Sequence, residues 1–267
     1  MKLDHRRTVL VGLAFLSICA FWQMYDNIIP LILTNTFHLD ETISGAIMAA
    51  DNVLALFLLP FFGALSDRTS TKIGRRMPFI LGGTAAAVIL MNLLPVFDNG
   101  YAATGETGKL ALFVVALGLL LVAMGTYRSP AVALMPDVTP KPLRSRANAI
   151  INLMGAVGGI AYLIVAAVLY PNSKTEGLAH VNYQPLFIVV SVLMAVSVIV
   201  LYFTTNEPKL AAAEKEYEAE HPEQQLVEEE PDGREELPKE VKRSLVMLLC
   251  SIALWYIGYN GVTTWWT

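Results

Sequence analysis

Three ionisable side chains, Asp26, Asp51 and Arg128, stand inside long apolar runs of this 267-residue sequence. Facing hydrocarbon at mid-depth, each would cost about 2.5–3.5 kcal/mol, so such residues persist by facing a polar cavity or one another. The chemistry they permit is reversible protonation. Desolvation favours a neutral carboxyl, whereas a neighbouring guanidinium favours the carboxylate. Arginine does not deprotonate usefully. Arg128 is therefore the fixed partner, and Asp51 or Asp26 the titrating group. A static ion pair is the alternative reading of the same residues.

Such residues must be positioned by membrane-spanning helices. The chain is 55% hydrophobic and 16% charged, with a mean hydropathy of +0.52, against about 25% charged in an ordinary soluble domain. A bilayer core needs roughly 20 apolar residues per helix, and candidate spans fall at 8–33, 43–65, 77–97, 110–135, 147–170 and 184–203. A seventh begins near Ser244. The first is too long for a secretory leader and lacks a small-residue cleavage pattern before Trp22. Ten Lys and Arg lie in the N-terminus and the 66–76 and 136–146 loops, against two in the loops near 34–42, 98–109 and 171–183. By the positive-inside rule the N-terminus and the basic loops are cytoplasmic. Residues 207–243 hold 13 acidic and 6 basic side chains and read as a solvated linker in which AAAEKEYEAE is helix-prone. The organisation expected is a six-span bundle over 1–205, an acidic cytoplasmic linker over 206–243, and the start of a seventh span over 244–267.

Other classes lack their signatures. Cys19 and Cys250 lie in apolar runs without metal or disulfide spacing. His5, His38, His180 and His221 fall in loops or tails, and HExxH, GxSxG and Walker A patterns are missing. Neither an enzyme, a metal site nor a cofactor is implied, and no basic–aromatic patch suggests nucleic acid.

The stretch GALSDRTSTKIGRRMPF places Gly63, Asp67, Arg68, Gly74, Arg75 and Arg76 between spans two and three. Gly63 permits close helix approach. Asp67 sits at a helix C-terminus, where an anion is disfavoured, and so needs a partner: Arg68, the Arg75/Arg76 pair, or a helix N-terminus of the absent second half. The order G-x-x-x-D-R…G-R-R resembles the loop signature of the major facilitator superfamily. Together with MAADNVLALFLLPFFGALSDR, YRSPAVALMPDVTPKPLRSRANAI and WYIGYNGVTT, it resembles the sucrose–proton symporters and their bacterial relatives near the glycoside–pentoside–hexuronide:cation symporters. NLMGAVGG lacks the proline of the antiporter signature, and Gly155 and Gly159, four apart, read as a helix-packing pair.

The resemblance implies an all-α polytopic membrane protein: the N-terminal six-helix half of a major facilitator fold plus the start of a seventh span. It implies secondary active transport, proton-coupled sugar symport by alternating access across the plasma membrane. The partners implied are the bilayer, a sugar, protons, and a missing C-terminal half or second copy. A non-transporting scaffold or a carrier of another small solute is the alternative. The related sodium-coupled carriers have further carboxylates where this chain has Ala55 and Arg128, which favours protons over sodium. Asp51, Asp26 and Arg128 are the expected coupling site. Trp22, Gln23 and Asp26 share a helix face and, with Tyr127 and Asn152, are the expected sugar contacts. The 63–76 residues named above form the expected cytoplasmic gate. Packing accounts equally well for Trp22.

Overall fold

The computed structural model describes residues 4–175, 177–178, 180–220 and 239–265, and all regular structure among them is helical. The helices are α1 (His5–Leu31), α2 (Glu41–Arg68), α3 (Met77–Thr104), α4 (Thr107–Asp137), α5 (Arg144–Leu169), the short α6 (Asn172–Thr175), α7 (Gln184–Thr204), α8 (Glu207–Glu220) and α9 (Lys239–Trp265). Seven of them are long and apolar enough to cross a membrane, as the sequence predicts. Two compact units result, residues 1–220 and 221–267.

Local chemistry sets the helix ends. Asp4 caps α1 by accepting the Arg7 N–H at 3.1 Å, and Asp40 caps α2 by accepting the Thr42 N–H at 3.0 Å. Gly105, at φ 68°, ends α3 in the left-handed region that glycine enters without cost. Inside α1, Pro30 has no N–H to give the Asp26 carbonyl. The helix then widens into a π turn over Ile32–Thr36.

In the first unit α1 packs chiefly against α5 and α7, α3 against α4 and α7, and α2 against α4. The most apolar stretch of α1 is 61% buried and that of α2 only 6%, so α1 is the central post and α2 a flank. Phe21, Tyr25, Phe113, Tyr127 and Phe187 fill the interior. Two crossings are unusually close. A Cβ at Gly158 would collide with the Leu16 backbone, and one at Gly83 would come 2.8 Å from the Tyr127 nitrogen. The close pair on α5 is therefore Gly155, facing Cys19, with Gly158. Gly159 meets Gln23 at an ordinary 3.7 Å, which corrects the expected Gly155–Gly159 pairing.

The solvated-linker reading also needs correction at its start. Glu207 and Glu214 of α8 are 2% and 7% exposed, so this helix begins docked on the bundle. Residues 221–238 lie outside the described part. In the second unit, α9 is a single long helix whose described side chains are exposed.

Candidate functional site

Trp22 of α1, Asp51, Leu54 and Ala55 of α2, and Gly125 and Arg128 of α4 border one small void of about 20 Å³. That volume suits a single water. The Arg128 guanidinium lies over the Trp22 indole, 5.5 Å from its centre, in a cation–π arrangement. Gly125 allows the contact between α4 and α2, its Cβ position being 3.2 Å from Leu58. Asp51 and Arg128 share the void without a direct ion pair. Instead, Asp51 Oδ1 accepts from the Asn52 backbone N–H at 2.6 Å and from Asn52 Nδ2 at 2.8 Å. Asp26 stands outside this lining.

The expected sugar contacts separate into two sets. Trp22, Gln23 and Asp26 are all partly accessible on α1. Trp22 packs edge-on against Phe21 and Tyr25, and the buried Trp22 Nε1 and Tyr25 Oη have no hydrogen-bond partner among the described residues. Asn152 is exposed on α5, its amide bonded back to the Asn148 carbonyl at 2.9 Å. Tyr127 is different. It is fully buried, with its hydroxyl 2.6 Å from Ser17 Oγ and 3.0 Å from the Ala14 carbonyl. It joins α4 to α1 and does not border the void.

At the basic end of the bundle Arg76 is the hub. Its guanidinium, 5% exposed, pairs with Asp67 and with Asp137 (Nε–Oδ2 2.8 Å), and donates to Ser66 Oγ at 2.5 Å. Arg75 takes the other Asp137 oxygen at 2.8 Å. Asp67 and Asp137 end α2 and α4, where helix dipoles disfavour anions, and one arginine pair offsets both. Arg68 is exposed and has no ion-pair partner among the described residues, so Asp67 is held by Arg76 and not by its neighbour. Gly63 packs where a Cβ would come 3.1 Å from Ser129 Oγ of α4.

Gly74 has φ 117° and leaves room for Glu207. The Glu207 carboxylate accepts N–H bonds from Arg75 (2.8 Å), Arg76 (2.9 Å) and Met77 (2.9 Å). These are the unsatisfied donors at the start of α3, where an anion is favoured. Arg144 of α5 meets Glu214 at 3.5 Å, and a cavity of about 300 Å³ opens between this network and the Thr69–Thr71 hydroxyls.

The sequence profile described as the Major Facilitator Superfamily matches residues 11–267. The chain belongs to the major facilitator superfamily. Similar curated proteins include the sucrose transport protein SUC3 of Arabidopsis thaliana, 31% identical over 47% of this chain and 23% of that protein. A second is SUC4 of the same plant, 34% identical over 39% of this chain and 22% of that protein. A third is YagG of Escherichia coli, named for glycoside/cation symport and 26% identical over 71% of this chain and 40% of that protein. The chain thus spans about a quarter to two fifths of the length of these relatives.

For a superfamily member, the sequence reading missed two participants in the charge network, Asp137 and Glu207. Each left a trace. Asp137 is a lone acid closing an apolar helix, as Asp67 is. Glu207 immediately precedes Pro208, just after the sixth span.

Proposed function

We infer that the protein containing this chain is a secondary active transporter that moves a sugar, a di- or oligosaccharide or glycoside, together with a proton. The observation that supports this most directly is the shared void: one carboxylate, Asp51, and one guanidinium, Arg128, held beside the Trp22 ring. A titrating acid next to a fixed cation can exchange a proton as water access alternates. Trp22 is partly accessible, and the part of its ring that Arg128 leaves open can pack against a polyhydroxylated ligand. Ala55 and Arg128 line the same void, so it holds a single carboxylate, fewer oxygen donors than a hard metal cation demands. That favours protons over sodium. Asp26, Gln23 and Asn152 are the further polar groups proposed for the sugar path.

A void of this size admits water and no sugar. The six-span bundle therefore supplies one wall, and a second six-span half or a second copy supplies the facing wall. The ten-to-two bias of basic residues supports a cytoplasmic N-terminus and a cytoplasmic Arg76 network in a plasma-membrane protein. There Asp67, Arg75, Arg76, Asp137 and Glu207 act as the gate, a cluster that is intact when the inner side is closed.

Uptake of a labelled disaccharide into proteoliposomes under an inward proton gradient tests the reading. The parent should accumulate sugar above the external concentration. Asp51→Asn should lose accumulation yet keep exchange of sugar for sugar, because exchange needs no net proton movement. Gradient-driven accumulation at the parental level in Asp51→Asn would remove Asp51 from the coupling step. Indifference of the parent to the gradient would remove proton symport altogether.

A further inference from the structure

A further buried acid lies at the opposite end of the bundle from the Arg76 network. Asp98, near the end of α3, is 0% exposed; neither carboxylate oxygen has a donor in full hydrogen-bond geometry among the described residues, and the Thr36 hydroxyl is the side-chain donor beside it. A buried carboxylate left so is costly unless it takes up a proton or gains a cation. One cation source faces it. His180, in the connection between α5 and α7, places Nε2 3.9 Å from Asp98 Oδ2. The same nitrogen is 2.8 Å from Asn99 Oδ1, while Nδ1 is 3.2 Å from Thr36 Oγ1 in the π turn after α1.

The neighbours extend the assembly. Asn99 Nδ2 donates to Asn182 Oδ1 at 3.0 Å, which also accepts the Gln184 N–H at 2.9 Å where α7 begins. The Tyr170 hydroxyl, just beyond α5, donates to the Asn182 carbonyl at 2.8 Å. His180 thus stands where the ends of α1, α3, α5 and α7 converge. Other titratable groups nearby are Tyr183, which burial first and then the Asp98 charge push up; Tyr162 of α5, beside Tyr183; Tyr101 near the end of α3; Lys109 of α4, against Gly100; and the exposed His38 beyond the π turn. His38 is not hydrogen-bonded to this group.

We propose that His180 and Asp98 form a proton-operated latch that ties the residues leading into α7 to the ends of α1 and α3. With Nε2 and Nδ1 both protonated, the imidazolium donates on both sides and its charge is drawn to the buried carboxylate. With one nitrogen protonated, as the contacts to Thr36 and Asn99 allow, that attraction is gone. Imidazole is the side chain that makes this change near neutral pH. The latch holds while the imidazole is protonated and Asp98 is ionised, so it weakens as pH rises through the imidazole transition and also where the carboxylate takes up a proton at lower pH. It answers to the compartment on the side away from the basic loops, and it shares no residue with the Trp22–Asp51–Arg128 void.

Hydrogen–deuterium exchange of the purified protein in lipid nanodiscs, read on the peptide covering residues 180–186 at pH 6.0 and 8.5, tests it. After correction for intrinsic exchange, the parent should be about tenfold more protected at the lower pH, the scale of one charge-assisted hydrogen bond. Asp98→Asn and His180→Gln retain hydrogen-bonding groups of nearly the same size, and both should flatten the pH response. Their α1 and α3 core peptides should match the parent, which separates a lost latch from misfolding. A parent with equal corrected protection at both values overturns the latch. So does a parental pH response that survives in Asp98→Asn, since His180 would then titrate without the carboxylate. Should either variant fail to fold, Thr36→Val, which removes the Nδ1 contact and the hydroxyl beside Asp98, should reduce the pH response, and a full response there counts against the geometry.

Discussion

Arg68 and Arg76 are two arginines of one basic loop, and their surroundings assign them different work. Arg76 is buried among Asp67, Asp137 and Ser66, whereas Arg68 extends into solvent. Arg76→Ala leaves the largely buried Asp137 short of one partner and Asp67 without any. Because Asp67 is half exposed and recovers hydration, the expected loss is up to about 3 kcal/mol, below the range for a wholly buried pair. Arg68→Ala should change stability by less than about 0.5 kcal/mol. Thermal unfolding followed by helical circular dichroism measures both. The sequence showed that Asp67 needed a cation but left several arginines eligible, because charge spacing in a loop does not reveal which guanidinium turns inward. Asp51 and Arg128 were legible for the opposite reason: an ion in an apolar helix has few places to go. Tyr127 was misleading, since an aromatic hydroxyl beside Arg128 suggests a ligand contact, and its hydrogen-bond partners, Ser17 and the Ala14 carbonyl, lie over a hundred residues away.

Hydrophobic length makes the spanning helices plain in the sequence. Their crossing points were not plain. Glycine spacing on α5 marks the face turned to α1, but the tight contact is at Gly158, where the Leu16 backbone passes. Gly158→Ala should therefore destabilise the bundle by about 1–3 kcal/mol as α1 and α5 are forced apart. Gly82→Ala, with nothing within 4 Å of the added carbon, should leave the melting temperature within about a degree or two of the parent. Equal effects would show that the α1–α5 approach is looser than described. The α8 docking was illegible for a different reason. Its composition is that of a solvated segment, and one carboxylate finding three backbone N–H groups leaves no compositional trace.

On the scale of the molecule, the six-span unit has charge networks at both ends and a small void between them, with α2 and α5 largely uncovered at its sides. Under the transport function proposed above, the uncovered sides of α2 and α5 are where a counterpart would pack. The Glu207 anchor makes a specific prediction here. In Glu207→Gln the neutral amide holds the α3 N-terminus less well, so α8 should release more often. Trypsin should then cut after Lys209 several-fold faster than in the parent under the same conditions, because cleavage follows the open population. An unchanged rate would mean that packing of α8, and not the carboxylate, retains it.

The way Glu207 reaches back to Gly74 also bears on how the polypeptide can be divided. A gene split for two-piece co-expression would, by hydropathy alone, be cut directly after Thr204. That incision would hand the α3 clasp to the wrong piece, and a scissor point beyond Glu220 keeps it with the helices it fastens.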